Sequence, residues 1–508
     1  MKHHDNLQSS QTILNIVSGI FTMIIQLGIN FFLSPYIVKT LGEEANGFTQ
    51  LANNFVTYAS LVTVAFNSMA GRFVSISFHR NEDEKVKQYY STTFICNIFI
   101  SAVFSLLSII IVFNLDKIVR IQNAVLIDVK FLFGCVFINF IANLFLSIYG
   151  IALFVKNKIY IQNVINLIRT LLNAVVLLGV FTLLPPRIFY VSFVSLILTL
   201  VAIPLIRYFQ KRYMPELKVY AHEFSINALM EMIKSGIWNT VNQCGNMLMT
   251  GLDLLLANWF IGPVQMGILS VAKTIPNAIT QLAGIMNTSF APAITMEWAK
   301  GDKTTVLRQL RSSMKVSSMI VSIPVVTFSF FSSWFYKLWM PTLNSTMLAI
   351  LSFLTCMAFI PWAGPQTLYN VFTAANKLKV NSIAFVISGV LNIVIVYILL
   401  IFTDFGVYAI AGVSSILTII RNLFIVTPYT AKILGLKWYT FYKDILISII
   451  CCLINFLVAS AVSRIIYEGG WISLIVAVFL TVLFSFLIEI VVILNRDEKQ
   501  MVFKIFHK

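Results

Sequence analysis

The sequence predicts an all-α polytopic membrane protein of about fourteen transmembrane helices, built as two parallel-repeat six-helix bundles plus a C-terminal helix pair. Three observations lead to this class. Of the 508 residues 58% are hydrophobic and only 11% charged, against roughly 25% charge in water-soluble domains. Apolar runs of about 20 residues, the length a bilayer core requires, recur along the whole chain. The pattern of the first two runs then returns in the seventh and eighth.

In order, residues 1–11 read as a polar cytoplasmic tail ahead of a retained helix at 12–38, not as a cleaved leader. Spans follow at 48–71, 91–113, 131–154, 160–183 and 187–206, and the basic stretch Arg207 to Lys234 links them to the next set. The second set is 235–258, 264–290, 313–333, 346–370, 380–402 and 405–427, its first two members joined by the turn Ile261-Gly262-Pro263. A last pair occupies 444–463 and 471–493. Pro276, Pro324, Pro361 and Pro365 should kink or loosen their spans, because proline lacks the N–H that the helix ladder uses. Alternating segments of ~10 residues, the signature of a membrane barrel, are absent. The expected domains are therefore 1–210, 211–430 and 431–508.

Basic residues orient these spans. Fourteen spans with an inside amino terminus leave only Lys39, Lys117, Arg120, Lys130, Arg187, Lys337 and Arg464 outside, three cations within spans, and the remainder of the 36 in cytoplasmic loops and tails. That asymmetry is the positive-inside rule, and it puts both termini in the cytoplasm. The net charge of +16 then reflects topology and contact with anionic lipid heads, not nucleic acid. The six cysteines fall in apolar segments without CxxC spacing, and the five histidines lie in loops or tails, so neither metal nor cofactor is expected. No GxxxxGK[ST] phosphate loop is present, which argues against ATP hydrolysis by this chain.

The repeat is visible residue by residue. Ser18-Gly19, Gln26 and Gly28 correspond to Ser235-Gly236, Gln243 and Gly245 at one constant offset. After a three-residue shift, Leu41-Gly42, Gly47, Asn67-Ser68 and His79-Arg80-Asn81-Glu82 correspond to Ile261-Gly262, Gly267, Asn287-Thr288 and Ala299-Lys300-Gly301-Asp302. An even number of spans separates the copies, so both run in the same direction, the arrangement of parallel repeats with a site between two bundles.

With its stretches Ser34-Pro35-Tyr36 and Leu41-Gly42-Glu43-Glu44-Ala45-Asn46-Gly47-Phe48, and Ile261-Gly262-Pro263 through Gly267 with the basic loop that follows, the chain resembles the multidrug/oligosaccharidyl-lipid/polysaccharide (MOP) exporter superfamily over essentially its whole length. Within it the chain is most similar to Wzx-type flippases, with lipid II flippases more distant. The resemblance implies a MATE-like fold and alternating access in a bacterial cytoplasmic membrane. The implied cargo is a polyprenyl-pyrophosphate-linked oligosaccharide for surface polysaccharides such as capsule or lipopolysaccharide. Polysaccharide polymerase and chain-length proteins are the implied partners. These motifs are scaffold, so they do not identify the sugar.

Polar residues inside the spans are the site candidates. Ser235, Asn239, Asn242, Asn246, Thr250 and Asp253 form one stripe on the seventh span. Gln162, Asn166, Arg169 and Asn173 do so on the fifth, and Asn15, Thr22, Gln26 and Asn30 on the first. Such residues either glue helices together or line a wetted cavity. Arg169, Lys273 and Arg421 lie ~13, ~14 and ~9 Å inside their spans at 1.5 Å per residue, and each would cost roughly 2.5–3.5 kcal/mol facing lipid. Arg421 either belongs to the site or snorkels, and Asp253 and Lys273 either pair structurally or contact cargo. An excess of cations suits a pyrophosphate: Arg169 would fork onto its oxygens, Lys273 would act as a point charge, and Gln26, Asn30, Asn242 and Asn246 would bind sugar hydroxyls. Asp253 is the central carboxylate available to a coupling proton or sodium ion. A cation-coupled multidrug antiporter, the alternative, would want carboxylates in the first span, which has none. A membrane enzyme would need a catalytic constellation at a surface, and the longest outer loop, near 114–129, offers only Asp116, Lys117, Arg120 and Asp128.

Overall fold

A computed structural model of the chain describes residues 2–494 and Lys499; the side chains of 2–13, 16, 17, 20 and 23 are outside that description. The expected cytoplasmic placement of Lys2, His3, His4, Arg496, Lys504, His507 and Lys508 therefore lies outside the described residues. Helices account for nearly all of the described chain, and it contains no strand. Twelve helices among the described residues are long and apolar enough to cross a membrane. They coincide with twelve of the fourteen expected spans; the two without a counterpart are the seventh and eighth.

Both of those are interrupted helices. The first six long helices are α1 (Lys2–Leu41), α2 (Glu43–His79), α3 (Asp83–Phe113), α4 (Leu126–Val155), α5 (Ile159–Leu183) and α6 (Tyr190–Tyr213). The seventh span is then α7 (Ile226–Asn246), a wide π turn at Met247–Gly251, and α8 (Asp253–Phe260). The eighth is α9 (Pro263–Ala272) and α10 (Thr274–Ala299), broken at Lys273. Pro276 explains the second break. It has no N–H to offer the Ala272 carbonyl four residues back, and that oxygen instead accepts from Ser352 Oγ at 2.8 Å and Tyr336 Oη at 3.4 Å.

The remaining helices are α11 (Lys303–Trp339), α12 (Ser345–Cys356), α13 (Tyr369–Ala374), α14 (Lys379–Phe402), α15 (Val407–Arg421), α16 (Thr427–Leu434), α17 (Tyr442–Ile465) and α18 (Trp471–Ile493). The Pro-Trp-Ala-Gly-Pro segment loosens its span as expected: a short helix at Phe359–Trp362 and a 3₁₀ turn at Pro365–Leu368 separate α12 from α13. Pro324, by contrast, is accommodated inside the unbroken α11. At the start of the chain the helix already runs from Lys2, ahead of the expected residue 12.

Left-handed backbone positions report the repeat independently of sequence matching. Gly42 (φ 86°), Asn81 (φ 58°) and Asn157 (φ 54°) end α1, α2 and α4. Gly262 (φ 143°), Gly301 (φ 79°) and Asn376 (φ 52°) occupy the same three junctions of the second copy. Only glycine and asparagine adopt this region readily, so both copies carry the same turn chemistry at the same places.

The chain forms two compact units, one up to residue 247 together with 254–267, the other 248–253 together with 268 onward. In the first, α4 packs on α6, α1 on α5, and α2 on α3 and α7. Thus α7, second-copy by sequence, packs within the first unit. Its approach is close because Gly236 lies against the Ala65 carbonyl, where a Cβ would collide. Gly47 and its repeat counterpart Gly267 also meet: a Cβ on Gly47 would fall 2.9 Å from the Gly267 Cα. The loop after α3 is pinned to this unit by Glu44, whose carboxylate accepts from the Gln122 and Asn123 N–H groups at 2.9 and 2.7 Å. Asn258 exchanges two hydrogen bonds with the Arg120 backbone, at 2.8 and 3.0 Å. In the second unit α11 is the central helix and packs on α10, α12, α17 and α18.

Candidate functional site

Interrupting a helix inside a membrane exposes carbonyls that water cannot reach, and each needs a donor. In the π turn, Asn392 Nδ2 of α14 donates to the Met249 carbonyl at 2.9 Å and the Leu248 carbonyl at 3.3 Å. Lys273 Nζ, itself at the break of the next helix, donates to the Thr250 carbonyl at 3.3 Å. The same ammonium forms an ion pair with Asp253. Both groups are withdrawn from the surface: Asp253 is 2% exposed and the Lys273 side chain 12%. Two helix breaks and a buried ion pair thus form one assembly in the second unit. Lys273 satisfies backbone and carboxylate together, and its charge is cancelled where it stands. The counterpart of Lys273 in the first copy, Asn53, donates within its own unbroken helix, to the Thr49 carbonyl at 3.1 Å.

Arg169 has a different setting. It is half-buried in the first unit, and its Nη1 reaches Asn143 Oδ1 of α4 and Thr199 Oγ1 of α6, both at 3.4 Å. Neither acceptor is charged, and both distances are long for a guanidinium, whose bonds to anions are nearer 2.7–2.9 Å. Asn143 donates to the Asn139 carbonyl at 2.7 Å, and Asn139 Nδ2 to Ser195 Oγ at 3.5 Å. Asn139, Asn143, Ser195 and Thr199 were not among the sequence candidates. The signal was available, since each pair is spaced by four residues inside an otherwise apolar span and so shares a helix face.

Arg421 does not snorkel. It is 5% exposed, stacks over the Phe385 ring at 4.0 Å, and donates to Tyr369 Oη at 3.0 Å and Asn422 Oδ1 at 3.2 Å. A π turn at Asn422–Val426 follows directly and draws the polar neighbour Asn422 under the guanidinium. One nitrogen, Nη1, is buried without a partner.

The polar stripes divide into two groups. Some members are glue. Asn15 Nδ2 donates to Asn157 Oδ1 at 2.8 Å and its Oδ1 accepts from Tyr160 N at 2.7 Å, tying α1 to the start of α5. Thr22 Oγ1 reaches the Asn163 carbonyl at 3.3 Å, and Asn67 and Asn97 exchange amide bonds at 2.9 and 3.1 Å. Gln26, Asn30 and Asn246 are instead exposed. Asn242 is half-buried with Oδ1 enclosed and unpartnered. The candidates thus separate into an assembled pair, Asp253 and Lys273, two arginines with their own neutral partners, and four side-chain amides on α1 and α7.

Comparison with known proteins is consistent with this architecture. The chain is 27% identical over 501 residues to the uncharacterized membrane protein EpsK of Bacillus subtilis (strain 168), covering 97% of this chain and 98% of that one. Its fold is similar to an inward-facing multidrug resistance MATE family transporter of the MOP superfamily, with a TM-score of 0.70 at 11% identity over 84% of this chain and 98% of that one. It is likewise similar to the lipid II flippase MurJ in an inward closed conformation, with a TM-score of 0.67 at 15% identity over 94% of this chain and 98% of that one. The polysaccharide biosynthesis protein family model matches residues 10–298. The protein is a multi-pass membrane protein with the MOP-superfamily fold, and it belongs to the polysaccharide biosynthesis protein family.

Proposed function

We propose that the protein is a flippase, not an enzyme, and moves polyprenyl-pyrophosphate-linked oligosaccharide repeat units across the bacterial cytoplasmic membrane by alternating access. Its termini are cytoplasmic in this reading, and its repeats divide at 1–210, 211–430 and 431–508. Family membership supports the pathway, and the likeness to a lipid II flippase supports a lipid-linked cargo.

The observation that carries the cargo chemistry is Arg169. A guanidinium inside an apolar unit, held among the described residues by two neutral acceptors at 3.4 Å, keeps its capacity to fork onto phosphate oxygens. Lys273 is the weaker anion ligand of the two because Asp253 already neutralises it. We assign Gln26, Asn30, Asn242 and Asn246 to sugar hydroxyls, and Arg421 a secondary role through its unpartnered Nη1. A proton or sodium ion is the coupling ion, with polysaccharide polymerase and chain-length proteins as downstream partners.

Deleting the gene and analysing the lipid extract by mass spectrometry tests this reading. Accumulation of one lipid-linked oligosaccharide with loss of the surface polymer supports it and identifies the sugar. An unchanged lipid profile together with new sensitivity to cationic drugs would favour the antiporter.

A further inference from the structure

A second buried charge-bearing group lies away from the residues assigned above. Glu489 of α18 is 0% exposed, four residues before the helix ends at Ile493, or ~6 Å at 1.5 Å per residue. Its Oε1 accepts from Ser322 Oγ of α11 at 3.3 Å, and that hydroxyl accepts from Asn455 Nδ2 of α17 at 2.9 Å. Its Oε2 has no partner, and neither do the buried Asn455 Oδ1 and Ser485 Oγ. The titratable groups beside it are the thiols of Cys451 and Cys452 on α17. The cations of α11 nearest in sequence, Arg311 and Lys315, act on Asp444. Asp253 is paired with a lysine and Asp444 with an arginine; among the described residues Glu489 is paired with no cation.

An isolated carboxylate is not kept in such surroundings, because burial penalises the charge and the group takes up a proton instead. A proton on Oε2 removes the buried charge, which among the described residues only neutral groups surround: the Ser322 hydroxyl, the Asn455 amide and the Cys451 thiol. Polar residues continue from it along one face of α18, through Ser485 and the buried Thr481, each one turn apart. One turn before Ser322 on α11, Ser318 lies 2.6 Å from Ser448 of α17.

We propose that Glu489, with Ser322, Asn455 and Ser485, is a membrane-embedded proton-binding site. Glu489 holds one proton on Oε2 as the neutral acid and releases it to water at the Ile493 end of α18. The carboxylate left behind keeps the bond it accepts from the Ser322 hydroxyl. The inference does not depend on the identity of the cargo.

Infrared spectra of the full-length protein in lipid nanodiscs test it, comparing wild type with Glu489→Gln, a neutral side chain of the same shape. The expected result is a carboxylic-acid C=O band at neutral pH that Glu489→Gln lacks and that is lost reversibly as pH rises. No such band at neutral pH would overturn the proposal. A band that persists at every pH where the protein stays folded would also overturn it, since the proton would not exchange. A parallel measurement needs no variant. Labelling wild type with a hydrophobic carbodiimide should modify Glu489, as mapped by mass spectrometry, and the labelling should disappear as pH rises; no modification at Glu489, or labelling unchanged across pH, contradicts the site.

Discussion

The Lys273 ammonium pairs with the Asp253 carboxylate across two helix breaks, and the same ammonium donates to the carbonyl of Thr250 at 3.3 Å. The pair is therefore bound to the backbone of the π turn as well as to itself. Removing one partner leaves a buried uncompensated charge, which typically costs about 3–5 kcal/mol. Asp253→Ala and Lys273→Ala should each sharply lower abundance and thermal stability in detergent. Asp253→Ala combined with Lys273→Ala should recover part of that loss, with a coupling energy above about 1 kcal/mol. Strictly additive losses would show that the two side chains act separately.

Close approach within the first unit rests on glycines that have no room for a methyl group. A Cβ at Gly236 would collide with the Ala65 carbonyl, and one at Gly267 with the Glu43 backbone. Gly236→Ala and Gly267→Ala should each destabilise by about 1–3 kcal/mol or more through overpacking. Gly28→Ala, with nothing within 4 Å, should be neutral or slightly stabilising, because alanine favours the helix by ~1 kcal/mol. Thermal unfolding monitored in the same detergent compares the three.

The loop after α10 is closed by Asp302. One carboxylate oxygen accepts from the Thr304 and Thr305 N–H groups at 3.0 and 3.1 Å, satisfying orphan donors at the start of α11. Bonds from the Thr304 and Thr305 hydroxyls, and then these backbone bonds, hold its pKa below the ordinary carboxylate value. A carboxyl whose folded pKa is depressed stabilises above its unfolded pKa and loses that contribution as pH falls. The cap should thus be intact at neutral pH and weaken only below about pH 4. Asp302→Ala should speed amide exchange at Thr304 and Thr305 at neutral pH, and Asp302→Asn should largely preserve protection.

How much of this was legible beforehand differs between parts of the chain. Twelve spans could be located because uninterrupted apolar length is what defines them. The seventh and eighth could not be drawn as broken helices, since their continuity is lost through carbonyl chemistry that only tertiary contacts with Asn392, Ser352 and Tyr336 reveal. A trace was present: the repeat changes offset by three residues between Gly245 and Ile261, the stretch that holds the π turn at Met247–Gly251. Among the candidate residues, Asp253 and Lys273 were identifiable as a pair from their proximity in sequence and opposite charge. Arg421 was not legible as a buried group, because Tyr369 and Phe385 come from other helices and no spacing rule links them to it.

Arg169 carries the proposed function, and its present contacts make it separable from folding. Its two hydrogen bonds are stretched to 3.4 Å and made to neutral acceptors, so losing both should cost about 1–2 kcal/mol of stability, the low end for bonds from a charged group. Arg169→Ala should accordingly reach normal abundance in the membrane. Arg169→Lys keeps the charge without the planar fork and should transport about tenfold more slowly or worse, the loss of one charge-assisted hydrogen bond.

The most direct measurement uses purified protein in vesicles carrying a polyprenyl-pyrophosphate-linked oligosaccharide. The fraction of sugar cleaved by a glycosidase added outside reports translocation between leaflets. Wild type should move the initially protected sugar into reach, while Arg169→Ala, folded and inserted equally well, should leave it protected. Transport by Arg169→Ala at the wild-type rate, or no transport by wild type, would contradict the account.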